Sequence, residues 1–205
     1  LKPDSALISK GRSFFIPNFS KEIHYELEVV IKIKKPGRYI ERKYSNKYYE
    51  EITVGIDFTA RDLQKKLREK GHPWEKSKGF DGSTLVGNFL NKNDLPPISN
   101  LNFHLLKNGN TVQNDNTRNM IWPVDELIEH ISKFFTLKIG DLIFTGTPSG
   151  VGAAASVAGH PLVSWLSGAD RTGSGACALP QPARCSPSSS SASLRIDERA
   201  ARFQR

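Results

Sequence analysis

The 205-residue chain reads as an α+β protein, mostly β, with two short helices set between strands. Three observations predict this. Residues 23–34 and 52–58 are apolar, β-branched runs with strand alternation. Turn signals separate such runs, at Pro36-Gly37 and at Lys107-Asn-Gly-Asn. Helix signals are confined to residues 59–70 and 123–135.

The elements follow in order. His24-Tyr-Glu-Leu-Glu-Val-Val-Ile-Lys-Ile-Lys lies inside the first strand, which stops at the Pro36-Gly37 turn. Ile52 to Phe58 is the second strand. Thr59, a capping residue type, then opens a helix that ends at Gly71. Residues 84–90 and 101–106 are further strands, and Asn108-Gly109 marks a hairpin after the latter. Val124, Leu127, Ile128, Ile131 and Phe135 recur at helical spacing. Gly140-Asp-Leu-Ile-Phe-Thr-Gly-Thr-Pro-Ser-Gly closes this part as a strand running into a glycine-rich turn.

Composition divides the chain. Residues 1–150 hold two alanines, Ala6 and Ala60, against 17 lysines and 12 asparagines. Residues 151–205 hold 11 alanines and neither lysine nor asparagine, and Ala, Ser, Gly and Pro fill 30 of those 55 positions. Such a composition buries too little apolar surface to offset the entropy of ordering. The 153–205 stretch is therefore expected to be a low-complexity tail, disordered or aberrant, such as a shifted reading frame or a fusion would produce. Both cysteines, Cys177 and Cys185, fall in it, so a disulfide framework is excluded for the body and a reducing, cytoplasmic compartment is expected. No run approaches the roughly 20 apolar residues of a membrane helix, and no signal-peptide pattern opens the chain.

The net charge of +8 raises the question of nucleic acid. Basic side chains alternate with acidic ones, as in Glu41-Arg42-Lys43 and Arg61-Asp62, and no reading motif is present, so nucleic acid is not expected as a partner.

The pair Glu26-Leu27-Glu28 carries the chemistry. On a strand, residues two apart project from one face, about 7 Å apart. Two anions side by side repel unless a cation or proton lies between them. Asp57, closing the next apolar run, adds a third oxygen donor, a set that suits a hard cation such as Mg²⁺ or Mn²⁺. The same pair also fits the solvent face of an edge strand, and spacing alone leaves both readings open. Lys78, near a metal, would orient a carboxylate or stabilise enolate charge; it equally fits an exposed loop. The turn Thr145-Gly-Thr-Pro-Ser-Gly lacks the lysine of a Walker motif; its backbone N–H groups either approach an anion or simply make a tight turn.

Lys2-Pro3, His24-Tyr-Glu-Leu-Glu, Gly55-Ile-Asp-Phe-Thr-Ala-Arg-Asp-Leu-Gln, Lys78-Gly-Phe-Asp and Gly140-Asp-Leu-Ile-Phe-Thr-Gly-Thr-Pro-Ser-Gly-Val-Gly occur in this order. Together they resemble the fumarylacetoacetate hydrolase family, closest to its short acylpyruvase-like branch, over residues 1 to about 152. The resemblance implies a mixed β-roll around a divalent cation, usually Mg²⁺ or Mn²⁺, assembled as a homodimer. It implies Glu26, Glu28 and Asp57 as metal ligands and Lys78 as the active-site lysine. Arg61 and Gln64 would line or support the substrate site, and Thr147 would contact the substrate's carboxylate end. The implied activity is hydrolysis of C–C bonds in small 2,4-dioxo acids through a metal-stabilised enolate. The alternatives are oxaloacetate decarboxylation or tautomerisation, 2-hydroxyhepta-2,4-dienedioate isomerisation, or a catalytically incomplete fragment that only binds metal. In that family the water-activating base resembles a His/Glu pair on a lid N-terminal to the Leu-Lys-Pro motif. The chain starts at Leu1, so the lid is expected to be missing, with organellar targeting left open by that missing start.

Overall fold

The computed structural model describes residues 1–9, 12–107 and 109–154, with the backbone of 163–165 and 194–196. In chain order the elements are β1 (Ile23–Ile33), β2 (Tyr49–Ala60), α1 (Arg61–Glu69), β3 (Thr84–Val86) and β4 (Leu90–Asn91). Then come β5 (Asn102–Lys107), β6 (Asn110–Asn116), α2 (Val124–Phe134), β7 (Leu142–Phe144) and β8 (Gly152–Ala153). Two short strands, β9 (Val163–Trp165) and β10 (Leu194–Ile196), pair in parallel. The predicted class is what forms: α+β and mostly β, with two α-helices among the described residues. The rest of the expected tail lies outside the described residues.

An antiparallel sheet runs β3-β2-β1-β7, with β4 also on β2 and β8 also on β1. β1 and β2 pair along almost their whole length, in a register that sets Leu27 against Ile56 and Glu26 against Asp57. Strand alternation then sorts two faces. On one, Tyr25, Leu27, Val29 and Ile31 pack with Ile52, Val54, Ile56, Phe58 and Leu85, all buried. Phe14 stacks on Phe58 with ring centroids 3.9 Å apart. Each such aliphatic or aromatic side chain contributes roughly 1.5–3 kcal/mol on burial. The other face carries His24, Glu26 and Glu28 against Thr59, Asp57 and Gly55. Glu26 and Glu28 on this second face are buried as well, and β1 lies inside the sheet and not at its edge. The edge-strand reading of the acidic pair is thereby excluded.

Three boundaries differ from the sequence reading. β2 starts at Tyr49 and runs to Ala60, so Asp57 lies within the strand and Thr59 pairs opposite His24 without capping the helix. The N-cap is Ala60, which makes no side-chain cap bond. The helix start is satisfied elsewhere: Arg61 N–H donates to Glu22 O at 2.8 Å, and Asp62 accepts from the Ser20 hydroxyl at 2.6 Å. The stretch 84–90 splits into β3 and β4, with Gly87, Asn88 and Phe89 between them.

On its second side β1 is covered only in part. β8 pairs with Tyr25 and His24, and β7 with Val30, Ile31 and Lys32. Residues 145–151 leave the sheet between them as a loop, and Thr145 tethers it by donating both its N–H (3.2 Å) and its hydroxyl (3.0 Å) to Val29 O. The Leu27 N–H faces this gap and finds a side-chain acceptor, Gln113 Oε1 of β6, at 2.9 Å. Gly150 (φ +94) seats the far end of the loop on β6, where any Cβ would collide with the Val112 carbonyl.

Candidate metal centre

Each carboxylate is placed by the β1–β2 pairing. Glu26 and Glu28 share a face of β1, and Asp57 lies directly across from Glu26. One oxygen from each of the three lies within 4.8 Å of the others, and all three side chains are buried. Opposite Glu28 stands Gly55, where a Cβ would come within 2.9 Å of Val30 and Phe144 side-chain atoms and 2.8 Å of Leu85 O. The missing side chain leaves room for the acidic pair's neighbours to close in.

Buried anions require compensation. Lys78 Nζ lies 2.5 Å from Glu26 Oε2 and 2.9 Å from Asp57 Oδ2. Lys2 Nζ lies 3.0 Å from Asp57 Oδ1. Arg61 pairs with Glu26 Oε1 through Nη2 and donates to Gln64 Oε1 through Nη1 at 2.6 Å. Glu28 has no lysine or arginine within ion-pair distance among the described residues; it accepts Gly146 N–H at 2.7 Å.

The proton affinities follow. Burial, then the charge of Asp57, pushes Glu28 up to about 7, against the opposing pull of Gly146 N–H and Lys78. Burial also acts to raise Glu26, but hydrogen bonds and charge from Lys78 and Arg61 win and hold it below the ordinary carboxylate value. Burial acts to lower Lys78, and Asp57 with Glu26 outweighs it, so this ammonium is stabilised. For Lys2 burial prevails over its pairing with Asp57 and lowers the pKa.

Asp57 Oδ1, although near Lys2, has no hydrogen bond of acceptable geometry. Three buried carboxylates with an unsatisfied oxygen fit a hard divalent cation in chemistry and spacing.

Lys78 follows the 3-10 turn Glu75–Ser77, and its carbonyl is held by the Ser83 hydroxyl at 2.7 Å and by Lys2 Nζ. Arg61 and Gln64 sit on the first turn of α1, with Gln64 buried behind Arg61. Thr147 lies in the 145–151 loop, one residue beyond the Gly146 N–H that binds Glu28. The seven residues singled out from the sequence thus form one neighbourhood. Three more belong to it. Lys2 contributes a second ammonium; its Lys-Pro motif was visible, its reach to Asp57 was not. His24 shares the acidic face, with Nε2 2.8 Å from Glu22 Oε1 and Arg61 Nε 3.4 Å from its Nδ1. Gln113, fully buried, joins Leu27 to Thr147 and Pro148.

Outside the site, Lys32 pairs with Glu51, Lys34 with Glu50, Arg42 with Glu126 and Lys43 with Glu41. No helix among the described residues is long and apolar enough to cross a membrane.

A family model for the C-terminal part of fumarylacetoacetate (FAA) hydrolase matches residues 1–178. A mitochondrial oxaloacetate decarboxylase of Dictyostelium discoideum is 40% identical over 153 residues, covering 74% of this chain and 70% of its own. A mitochondrial oxaloacetate tautomerase of Bos taurus is 36% identical over 152 residues, 74% of this chain and 69% of its own. Among solved structures, a fumarylpyruvate hydrolase from Pseudomonas aeruginosa in complex with Mn²⁺ and pyruvate superposes with a TM-score of 0.70 at 35% identity. That alignment covers 75% of this chain and 68% of the other.

Proposed function

The chain belongs to the fumarylacetoacetate hydrolase family of metal-dependent hydrolases, isomerases and decarboxylases, and from that premise we propose that it breaks or rearranges bonds next to the carbonyl of small 2-oxo acids. Hydrolysis of the C–C bond of an acylpyruvate-type 2,4-dioxo acid is the first reading. The observation that carries it is the buried trio Glu26, Glu28 and Asp57 with Lys78 directly on it.

In this reading the trio holds Mg²⁺ or Mn²⁺. A divalent cation there supplies Lewis acidity toward the enolate charge that develops as the bond breaks. Lys78 moves off the carboxylates and sets its ammonium against the same developing oxyanion. Arg61 stays oriented by Gln64 and presents a guanidinium toward the substrate side. Thr147, with the loop N–H groups around it, receives the carboxylate end.

A second reading has its own support: the two relatives at 40% and 36% identity are named for oxaloacetate chemistry. Keto–enol exchange moves one proton between carbon and oxygen and needs no water. The discriminating experiment supplies Mn²⁺ or Mg²⁺ with acetylpyruvate or with oxaloacetate and follows the enol absorbance and pyruvate release. Loss of acetylpyruvate with equimolar pyruvate supports hydrolysis. Turnover of oxaloacetate alone supports the second reading, and no turnover of either with metal demonstrably bound sinks both.

The assembly proposed is a homodimer. Large apolar side chains stand exposed at both ends of α2, Ile121 and Trp122 before it and Phe134 and Phe135 at its close; light scattering at micromolar concentration that returns a single-chain mass would reject it. The division at residue 152 into a catalytic body and a tail is likewise proposed, and limited proteolysis that cuts first within 23–144 would count against it. A cytoplasmic location is proposed, in contrast to the mitochondrial one of both relatives; cell fractionation decides.

A further inference from the structure

Gln113 sits on β6, in a hairpin that forms its own two-stranded sheet, yet its side chain ends in the middle of β1. It is 1% exposed, so every polar atom of its amide must be satisfied inside the protein. Oε1 accepts from Leu27 N–H, the amide between Glu26 and Glu28, at 2.9 Å. Nε2 lies 2.9 Å from Thr147 Oγ1 and 3.2 Å from Pro148 O.

The orientation of this amide is forced by its neighbours. A backbone N–H only donates, so Leu27 must face Oε1; a carbonyl only accepts, so Pro148 must face Nε2. Nε2 therefore presents N–H to Thr147 as well, and the Thr147 oxygen accepts. Its own proton is then left to point elsewhere, and no other hydrogen bond reaches that hydroxyl among the described residues. We propose that Gln113 is a positioning residue that makes Thr147 a hydrogen-bond donor toward the anionic end of an oxo acid held at the acidic trio. The inference rests on the oxo-acid reading above.

Two features assign this task to Gln113 rather than to the loop. Gly146, the adjoining residue, is tied to Glu28, a candidate ligand whose hydrogen bonds change when a cation arrives. Thr145 is tied to Val29 O, two positions before Thr147. Gln113 is thus the link that reaches the Thr147 side chain itself from the sheet, and it does not pass through a candidate metal ligand.

Gln113→Glu tests it. A carboxylate still accepts from Leu27 N–H, but it repels the Pro148 carbonyl and turns the Thr147 hydroxyl toward itself. Mn²⁺ binding is measured first by titration calorimetry, then pyruvate binding to the Mn²⁺-loaded protein. We expect Mn²⁺ affinity within about twofold of wild type and pyruvate affinity lower by about tenfold or more, the loss of a hydrogen bond to a charged group. Combined with Thr147→Val, Gln113→Glu should add nothing beyond Thr147→Val alone, because both act through one hydroxyl. Gln113→Met, which keeps the volume and removes both polar ends, replaces it if Gln113→Glu does not fold. Unchanged pyruvate affinity, an equal loss of Mn²⁺ affinity, or additive effects overturn the proposal. Wild-type protein that binds Mn²⁺ but not pyruvate overturns the oxo-acid reading itself, and the proposal with it.

Discussion

Glu26 and Asp57 each have a lysine ammonium within 3.0 Å, whereas Glu28 has a single backbone N–H. That asymmetry makes Glu28 the pH-sensitive member. Its pKa in the folded, metal-free chain is about 7 against an ordinary 4.5, so the folded state holds this proton more tightly than the unfolded one. The contribution to stability is therefore complete below about pH 4.5 and is lost as pH rises through about 7, amounting to at most about 3 kcal/mol. Denaturant unfolding of metal-free protein at pH 5 and pH 8 should show this decline, and Glu28→Gln should flatten it. The metal competes with the same proton, so Mn²⁺ affinity should fall as pH drops below about 7. Asp57→Asn removes a candidate ligand outright. Outer-shell losses already weaken metal binding about 10- to 100-fold, so Mn²⁺ affinity by calorimetry should drop by more than that. The seven residues were legible because two of the acids sit at strand spacing and the others fall inside ordered motifs. Lys2 and Gln113 were not: Lys2 reaches Asp57 across 55 positions of sequence, and Gln113 reaches Leu27 across 86.

At the scale of elements, β1, β5, α2 and β7 could be read from alternation and spacing because each is decided by its own residues. What escaped was decided by partners. Thr59 looked like a cap, yet pairing with His24 keeps it in β2, and Glu22 supplies the acceptor the helix start needs. In the β5–β6 hairpin, simple counting from the turn sets Leu105 opposite Val112. A register shift between Leu105 and Leu106 brings in Gln113 instead. Gly55 shows how tightly β2 depends on its neighbours. Adding one methyl there meets Leu85 O and the Val30 and Phe144 side chains at 2.8–2.9 Å, so Gly55→Ala should destabilise by about 1–3 kcal/mol in denaturant unfolding. It should also weaken Mn²⁺ binding, since Glu28 is the residue across the strand.

Over the whole molecule, the candidate ligands ride on the long β1–β2 pair, whose reverse face is the main hydrophobic core. The glycine-rich loop, by contrast, hangs from Val29, Glu28 and Gln113 in a gap between two short strands. These two parts should exchange amide hydrogens on different timescales. The amides of Glu26 and Asp57 lie within the long β1–β2 pairing, backed by the core, whereas Gly146 is released when a few loop contacts break. Deuterium uptake resolved by residue should find β1 and β2 among the slowest segments and 146–150 much faster. Uptake in β1 as fast as in the loop would refute this. A cation bound by the trio would then slow the sheet, adding its binding free energy to global stability, and would reach the loop only through Gly146, whose N–H is held by Glu28. The cation would thus be anchored to the most slowly exchanging part of the protein, and the substrate's carboxylate end to one of the fastest.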